Sequence, residues 1–385
     1  MTTIAPRTDA RRTTAAARTD AGRSSSKPRA DASSAAPRSG PLTAAERFRR
    51  ACRRQEVDAT PVWFMRQAGR SFAGYRALRE RYDILTLAKT PELCTQVSLM
   101  PVDELGVDGA VLFADIMLPL QGMGVSLEIE PDVGPIIHEP IRGSSDVQRL
   151  TRLEPEEHVP FVLEAIRLLR QELADRAAVI GFAGAPFTLA CYLIEGRPSR
   201  DYARAKSLML SQPATWSALM DRLTEATIDY LTAQARAGAD VVQLFDSWAG
   251  ALAPSDYEES VLPWVQRIFA AVRQTSVPSI SFGTGNASLL ELFASGGSDL
   301  ISVDWRVPLD EAWQRIGYDH GIQGNLDPAR PLAGWEAAWQ GMRDVLARAV
   351  GRPGHVFNLG HGVLPDTDPE VLKRLVDAVH TETSR

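Results

Sequence analysis

The sequence predicts an α/β protein built as a (β/α)8 TIM barrel, and three observations carry that prediction. Eight short apolar runs recur after residue 40, most of them separated by amphipathic helical stretches. Most of the runs are apolar throughout rather than alternating, as parallel strands buried on both faces are. A Gly-x-Asp triplet precedes four of them, and no Gly-x-Gly-x-x-Gly follows an early one. A doubly wound open sheet is the second choice.

Taken in order, the chain opens on a segment unlike the rest. Residues 1–40 hold seven Arg and Lys27 against Asp9, Asp20 and Asp31, a net of +5, which leaves −11 for residues 41–385 out of the total of −6. With almost no large apolar side chain, such a stretch cannot offset the entropy lost on ordering, so it reads as a disordered basic tail. Its Arg, Ser and Ala richness resembles a transit peptide, but the three acids argue against one. The expectation is a dispensable tail on a cytoplasmic protein, followed by one domain over 41–385.

The predicted strands are Val62–Met65, Ala110–Ala114, Val179–Ala183, Val241–Phe245, Ser279–Phe282, Leu300–Val303, Gly321–Gln323 and Val356–Leu359. Between them, Thr90-Pro91-Glu92 is a helix start, with a cap, a proline in the first turn and an early acid. After Pro213, Trp216, Met220, Leu223, Thr227 and Tyr230 share one helical face; after Pro254, Val261, Val265, Ile268 and Val272 do the same. The triplets Gly106–Asp108, Gly238–Asp240, Gly297–Asp299 and Gly317–Asp319 end helices in a left-handed turn and lead into the next strand. Residues 125–142 differ: Val125–Ile129 and Ile136–Ile141, joined by Pro-Asp-Val-Gly-Pro, read as a β-hairpin inserted after the second strand.

Composition limits the function classes. Hydrophobic content of 44% and charged content of 23% are those of an ordinary soluble protein. No apolar run approaches the ~20 residues of a membrane span. Cys52, Cys94 and Cys191 are far apart, and no two of the six histidines share a metal-ligand spacing, so no metal is expected. An acidic body argues against a nucleic-acid partner, which needs a broad basic surface.

In a barrel, chemistry gathers where the strands end. The first run closes in Arg66-Gln67-Ala68-Gly69-Arg70, two guanidiniums around a glycine, an arrangement that grips carboxylate or phosphate. The second closes in Asp115, the third leads to Tyr192, the fourth to Asp246-Ser247-Trp248, and the eighth to His361. Ser247 lacks a nucleophile-elbow context. Asp115, Asp246 and Asp327 could ligate a cation, but Arg66 and Arg70 would repel one. No lysine ends a strand, which disfavours a Schiff base. What remains is an anion-gripping pocket with an acid, a phenol and an imidazole.

Those residues carry a resemblance. Pro61-Val62-Trp63-Phe64-Met65-Arg66-Gln67-Ala68-Gly69-Arg70 and Gly181-Phe182-Ala183-Gly184-Ala185-Pro186-Phe187-Thr188-Leu189-Ala190-Cys191-Tyr192 resemble the two hallmark segments of the uroporphyrinogen decarboxylases. Phe113–Met117, Phe245–Gly250, Gly324–Pro328 and Asn358–Gly362 resemble further family segments in the expected order, so the similarity spans roughly residues 41–380. Two departures flank the site: Ser71-Phe72-Ala73 where the family has Tyr-Leu-Pro, and Phe113-Ala114-Asp115 where Phe-Ser-Asp is commoner.

The resemblance implies a (β/α)8 barrel, a homodimer, and removal of the carboxyl groups of the four acetate arms of uroporphyrinogen III to give coproporphyrinogen III, without metal or organic cofactor. By the same resemblance, Arg66, Gln67, Ala68, Gly69 and Arg70 line the substrate site and Arg79 binds a carboxylate. Asp115 meets the pyrrole N–H groups, and Tyr192, Ser247 and His361 contact substrate carboxylates. Asp115 would stabilise the cation formed when a pyrrole is protonated. Arg66, Tyr192 and His361 are the candidates to supply that proton, though a guanidinium is a poor acid. A barrel methyltransferase of the same superfamily needs His-x-Cys, which is absent; a tetrapyrrole carrier that lost the reaction is the non-catalytic alternative.

Overall fold

The computed structural model describes residues 41–130 and 133–385; the expectation of a disordered tail over 1–40 lies outside the described residues. Seven parallel strands form one curled sheet: β1 (Gly109–Val111), β4 (Ala178–Gly184), β5 (Val241–Asp246), β6 (Ser279–Gly283), β7 (Leu300–Ser302), β8 (Gly321–Leu326) and β9 (His355–Leu359), in that order. β2 (Leu127–Glu130) and β3 (Gly134–Ile137) pair antiparallel as a separate two-stranded sheet between β1 and β4 in the chain. The strands are almost wholly buried, which is why their sequences do not alternate. The fold is an α/β barrel, and residues 41–385 form one compact unit.

The predicted first strand is corrected. Val62–Met65 is not a regular strand; one bridge, Val62 to Phe357, stands in its place. The segment is nevertheless tied to both edges of the sheet. Phe357 N–H donates to the Pro61 carbonyl (2.9 Å), and Asp108 N–H donates to the Val62 carbonyl (2.7 Å). Side chains take the N–H groups a ladder would use: Val62 N–H donates to Asp108 Oδ2 (2.7 Å) and Met65 N–H to Asn358 Oδ1 (3.1 Å). An apolar run thus keeps its place in the wall without regular pairing.

The Gly-x-Asp triplets shape the opposite end of the barrel. Gly106 and Gly238 end their helices at φ 73° and 117°, where a side chain would be strained. Three of the aspartates then accept the backbone N–H that opens the preceding barrel segment: Asp108 from Val62, Asp240 from Val179 (2.9 Å) and Asp299 from Ser279 (2.8 Å). Asp319 departs from the pattern; it is exposed and, among the described residues, reaches only His320.

The helices follow the predicted faces. Pro91–Leu105 starts at Thr90, and Pro213–Ala237 buries Trp216, Met220, Leu223, Thr227 and Tyr230. The stretch after Pro254 is two helices, Pro254–Ser260 and Leu262–Arg273, because Pro263 brings no N–H to continue the first. Inside the barrel a buried polar layer joins four elements. Trp63 Nε1 donates to Gln323 Oε1 (2.9 Å), and Gln323 Nε2 donates to Gln243 Oε1 (3.0 Å) and Ser302 Oγ (2.9 Å).

Candidate active site

A cavity of about 1420 Å³ is lined by residues at the C-terminal ends of the strands. That exceeds the roughly 300–1,000 Å³ of drug-sized sites and suits a larger, macrocycle-sized ligand. Part of its wall is aromatic. Phe182, Phe245 and Phe282 come from the neighbouring strands β4, β5 and β6, with ring centroids 5.4 Å apart in each successive pair and edge-to-face. His361 continues the row 6.2 Å from Phe282. Gln234, on the helix behind, fixes Phe182 by bonding both its N–H (2.9 Å) and its carbonyl (2.8 Å).

Arg66, Arg70, Arg79 and Lys89 bring positive charge to the cavity wall. Arg66 sits in a left-handed turn (φ 56°), and its stem crosses Gly362 so closely that a Cβ there would lie 2.6 Å from Cδ. Among the described residues no side chain or carbonyl forms a hydrogen bond or salt bridge with Arg66. Arg79 donates to the Tyr82 carbonyl (2.8 Å). The hairpin supplies a wall of its own, with Glu128, Ile129 and Glu130.

Asp115 lies just past β1 and uses one oxygen to accept the Met117 N–H (2.8 Å). Burial raises its carboxyl above the usual carboxylate range, opposed by that N–H and by the charge of Arg66. Burial and the Asp115 charge push the Tyr192 phenol well up, so it keeps its proton at neutral pH. Burial, with the charges of Arg66 and Arg306, lowers His361, against the pull of Asp304, and the imidazole is neutral. The site therefore holds an acidic group, a phenol and an imidazole in a poorly solvated space beside a guanidinium that makes no hydrogen bond or salt bridge among the described residues. Such a space strengthens every charge interaction made with a ligand.

A uroporphyrinogen decarboxylase family model matches residues 43–382. The chain belongs to the uroporphyrinogen decarboxylase family. It is 52% identical over 336 residues to a uroporphyrinogen decarboxylase of Sorangium cellulosum, covering 87% of this chain and 96% of that one. It is 52% identical over 355 residues to one of Streptomyces coelicolor, covering 92% and 99%. Among solved structures, a methyltransferase from Methanosarcina mazei superposes with a TM-score of 0.76 at 20% identity, covering 89% of this chain and 99% of that one, a likeness of fold alone.

Of the residues the family resemblance singled out, Arg66, Ala68, Gly69, Arg70, Arg79, Asp115, Tyr192, Ser247 and His361 all line the one cavity. Gln67 does not, and its assignment to substrate contact is corrected. It is fully buried behind the turn, accepting the Phe64 N–H (2.9 Å) and donating to the Gly109 carbonyl (2.8 Å), which braces the loop that carries Arg66. Sequence reasoning missed the phenylalanine row. The available signal was Phe182, Phe245 and Phe282 recurring near the ends of three consecutive apolar runs.

Proposed function

We propose that this cavity removes the four acetate carboxyl groups of uroporphyrinogen III, leaving methyl groups and giving coproporphyrinogen III, with the protein's own side chains as the only catalytic groups. Membership of the family makes the chain a carboxy-lyase of haem biosynthesis that acts on uroporphyrinogen. The observation that supports the residue roles is the meeting of Asp115 with Arg66, whose guanidinium forms no hydrogen bond or salt bridge among the described residues, in one aromatic-walled cavity. A flexible macrocycle lays its apolar rings on Phe182, Phe245 and Phe282, turns its inward N–H groups to Asp115, and offers its carboxylates to Arg66, Arg70 and Arg79. Tyr192, Ser247 and His361 meet further carboxylates.

In each cycle a pyrrole carbon takes a proton and the ring becomes an iminium-like cation. The C–C bond to the carboxylate breaks, its electron pair flows into the ring, and carbon dioxide leaves. The exposed methylene then takes a proton to become methyl, and the ring carbon gives back the proton it took, which restores the neutral aromatic pyrrole. Asp115 opposes the positive charge as it develops, the term that preorganised sites supply best. The proton enters from the wall shared by Arg66, Tyr192 and His361. On this reading the barrel is eight-membered, with Val62–Met65 as the irregular first position and the β2–β3 hairpin as an insertion that walls the mouth. A homodimer in the cytoplasm, binding neither nucleic acid nor membrane, completes the proposal. Incubation with uroporphyrinogen III, anaerobic and in the dark, should yield hepta- through tetracarboxylate products. Unchanged substrate would overturn it, and a monomeric mass by sedimentation would remove the dimer.

A further inference from the structure

Tyr192 projects from the helix Pro186–Glu195, and its ring packs on Trp248 with centroids 4.2 Å apart and a 41° tilt. Trp248 in turn stacks on Tyr202, at 4.6 Å and 27°. Trp248 is also held through its backbone, since its N–H donates to Thr188 Oγ1 (3.4 Å) and Thr188 donates to Asp246 Oδ1 (2.9 Å). Thr188 and Asp246 are both buried, and Thr188 lies one turn ahead of Tyr192 on the same helix. The indole is therefore fixed at its backbone by the helix that carries Tyr192 and at its ring by Tyr202.

Tyr202 differs from its neighbours in two ways. Unlike Tyr192 and Trp248 it is not part of the cavity wall, so a bound ligand does not reach it. It also adopts a left-handed backbone (φ 55°, ψ 35°) ahead of the helix Ala203–Ser211, a conformation unfavourable for an aromatic residue unless its surroundings hold it. The residue is 9% exposed, and burial pushes its phenol up to about 12. A strained backbone combined with a buried ring stacked on the neighbour of a cavity phenol points to a role in geometry.

We propose that Tyr202 is a positioning residue, which acts through Trp248 to hold the Tyr192 phenol in its working orientation. The proposal rests on the catalytic reading of Tyr192 above. Losing the outer ring lets Trp248, and with it Tyr192, sample other orientations, and a displacement of about 1 Å at a reacting group can cost up to about 100-fold in rate. Because Tyr202 is not in the cavity wall and Tyr192 is one of several groups that meet carboxylates, the loss should fall chiefly on kcat and move KM little.

The test is uroporphyrinogen turnover by Tyr202→Leu, Tyr202→Phe, Tyr192→Phe and the pair Tyr192→Phe/Tyr202→Leu. Tyr202→Leu should lower kcat about tenfold with KM within about twofold, and Tyr202→Phe, which keeps the ring, should restore it. In the Tyr192→Phe background, Tyr202→Leu should cost nothing more, because the group being positioned is gone. A wild-type Tyr202→Leu beside an impaired Tyr192→Phe overturns the clamp alone, as do losses that multiply in the double variant or a Tyr202→Phe as poor as the leucine. A Tyr192→Phe with full activity instead overturns the catalytic reading of Tyr192, and the clamp's part in turnover with it. If Tyr202→Leu does not fold, Tyr202→Met removes the ring in the same way.

Discussion

The two ends of the barrel use the same residue types and treat them oppositely. At the end where the strands begin, the buried aspartates are answered. Asp108 accepts from Val62 N–H, Arg47 (2.6 Å) and His380 (2.7 Å); Asp240 accepts from Val179 N–H, Arg49 (2.8 Å) and Arg170 (2.6 Å). At the end where they finish, Arg66 has no partner among the described residues and Asp115 accepts one N–H. Saturated charges fix backbone, and unsaturated ones are available to a ligand. The same contrast separates stability from chemistry in barrels generally.

The sharpest way to break that contrast is to neutralise one aspartate at each end. Asp115→Asn should lower kcat by about 10²–10³-fold, the scale for removing a preorganised charge, while the melting temperature holds. Arg79→Ala, which on the proposed reading removes one carboxylate contact among several, should cost less than about tenfold. Equal losses in the two would contradict the transition-state role. Asp108→Ala should do the reverse of Asp115→Asn. Its side chain is 1% exposed and holds the Arg47 guanidinium, the His380 ring and a backbone N–H, so unfolding free energy should fall by about 3–5 kcal/mol in a denaturant titration. The kcat of the folded fraction should stay within about twofold; a large drop there would erase the division of labour.

Much of this division was legible in the sequence, for a physical reason. Strand ends such as Phe245-Asp246-Ser247-Trp248 are local: an apolar run stops and polar side chains follow in the order the barrel needs. The Gly-x-Asp triplets were legible for the same reason, as helix end and strand start within three residues. Contacts made across the chain were not. Val62–Met65 has the composition of a strand, yet Asp108, 46 residues on, and Asn358, 293 residues on, occupy its N–H groups. Gln67 has the composition of a ligand contact, yet the carbonyl of Gly109 turns it into the barrel wall. The stack of Tyr192, Trp248 and Tyr202 likewise joins segments that nothing local connects.

A smaller change sharpens the comparison without touching a charge. Gly362→Ala puts a Cβ 2.6 Å from Cδ, 2.9 Å from Cγ and 3.1 Å from Cβ of Arg66, so the root of the stem as well as its outer part must shift. The melting temperature should fall slightly and kcat/KM of the folded protein should fall about tenfold through the displaced guanidinium. A wild-type kcat/KM would mean that the position of Arg66 is not critical.

The least conspicuous effect is in the pH dependence of stability. His355 opens β9, its Nε2 against the Gly324 carbonyl (3.0 Å), and burial lowers it from 6.5 to about 4. Asp246 closes β5, and burial raises it from 3.8 to about 7, opposed by its bonds from Thr188. Between about pH 4 and 6.5 the unfolded chain binds a proton at His355 that the folded chain refuses, so this group makes stability rise with pH. From 3.8 to about 7 the folded chain keeps a proton on Asp246 that the unfolded chain has lost, so this group makes stability fall with pH. Across their common window the two slopes oppose each other. Asp246→Asn leaves the histidine slope uncompensated, and its melting temperature should climb with pH from about 4 to 6.5 more steeply than that of the wild type. His355→Gln should reverse the sign of the difference. Melting curves of Asp246→Asn that run parallel to the wild type through that window would mean that Asp246 is already ionised in the folded barrel, with a charge left at a strand end that closes on Thr188 rather than on a ligand.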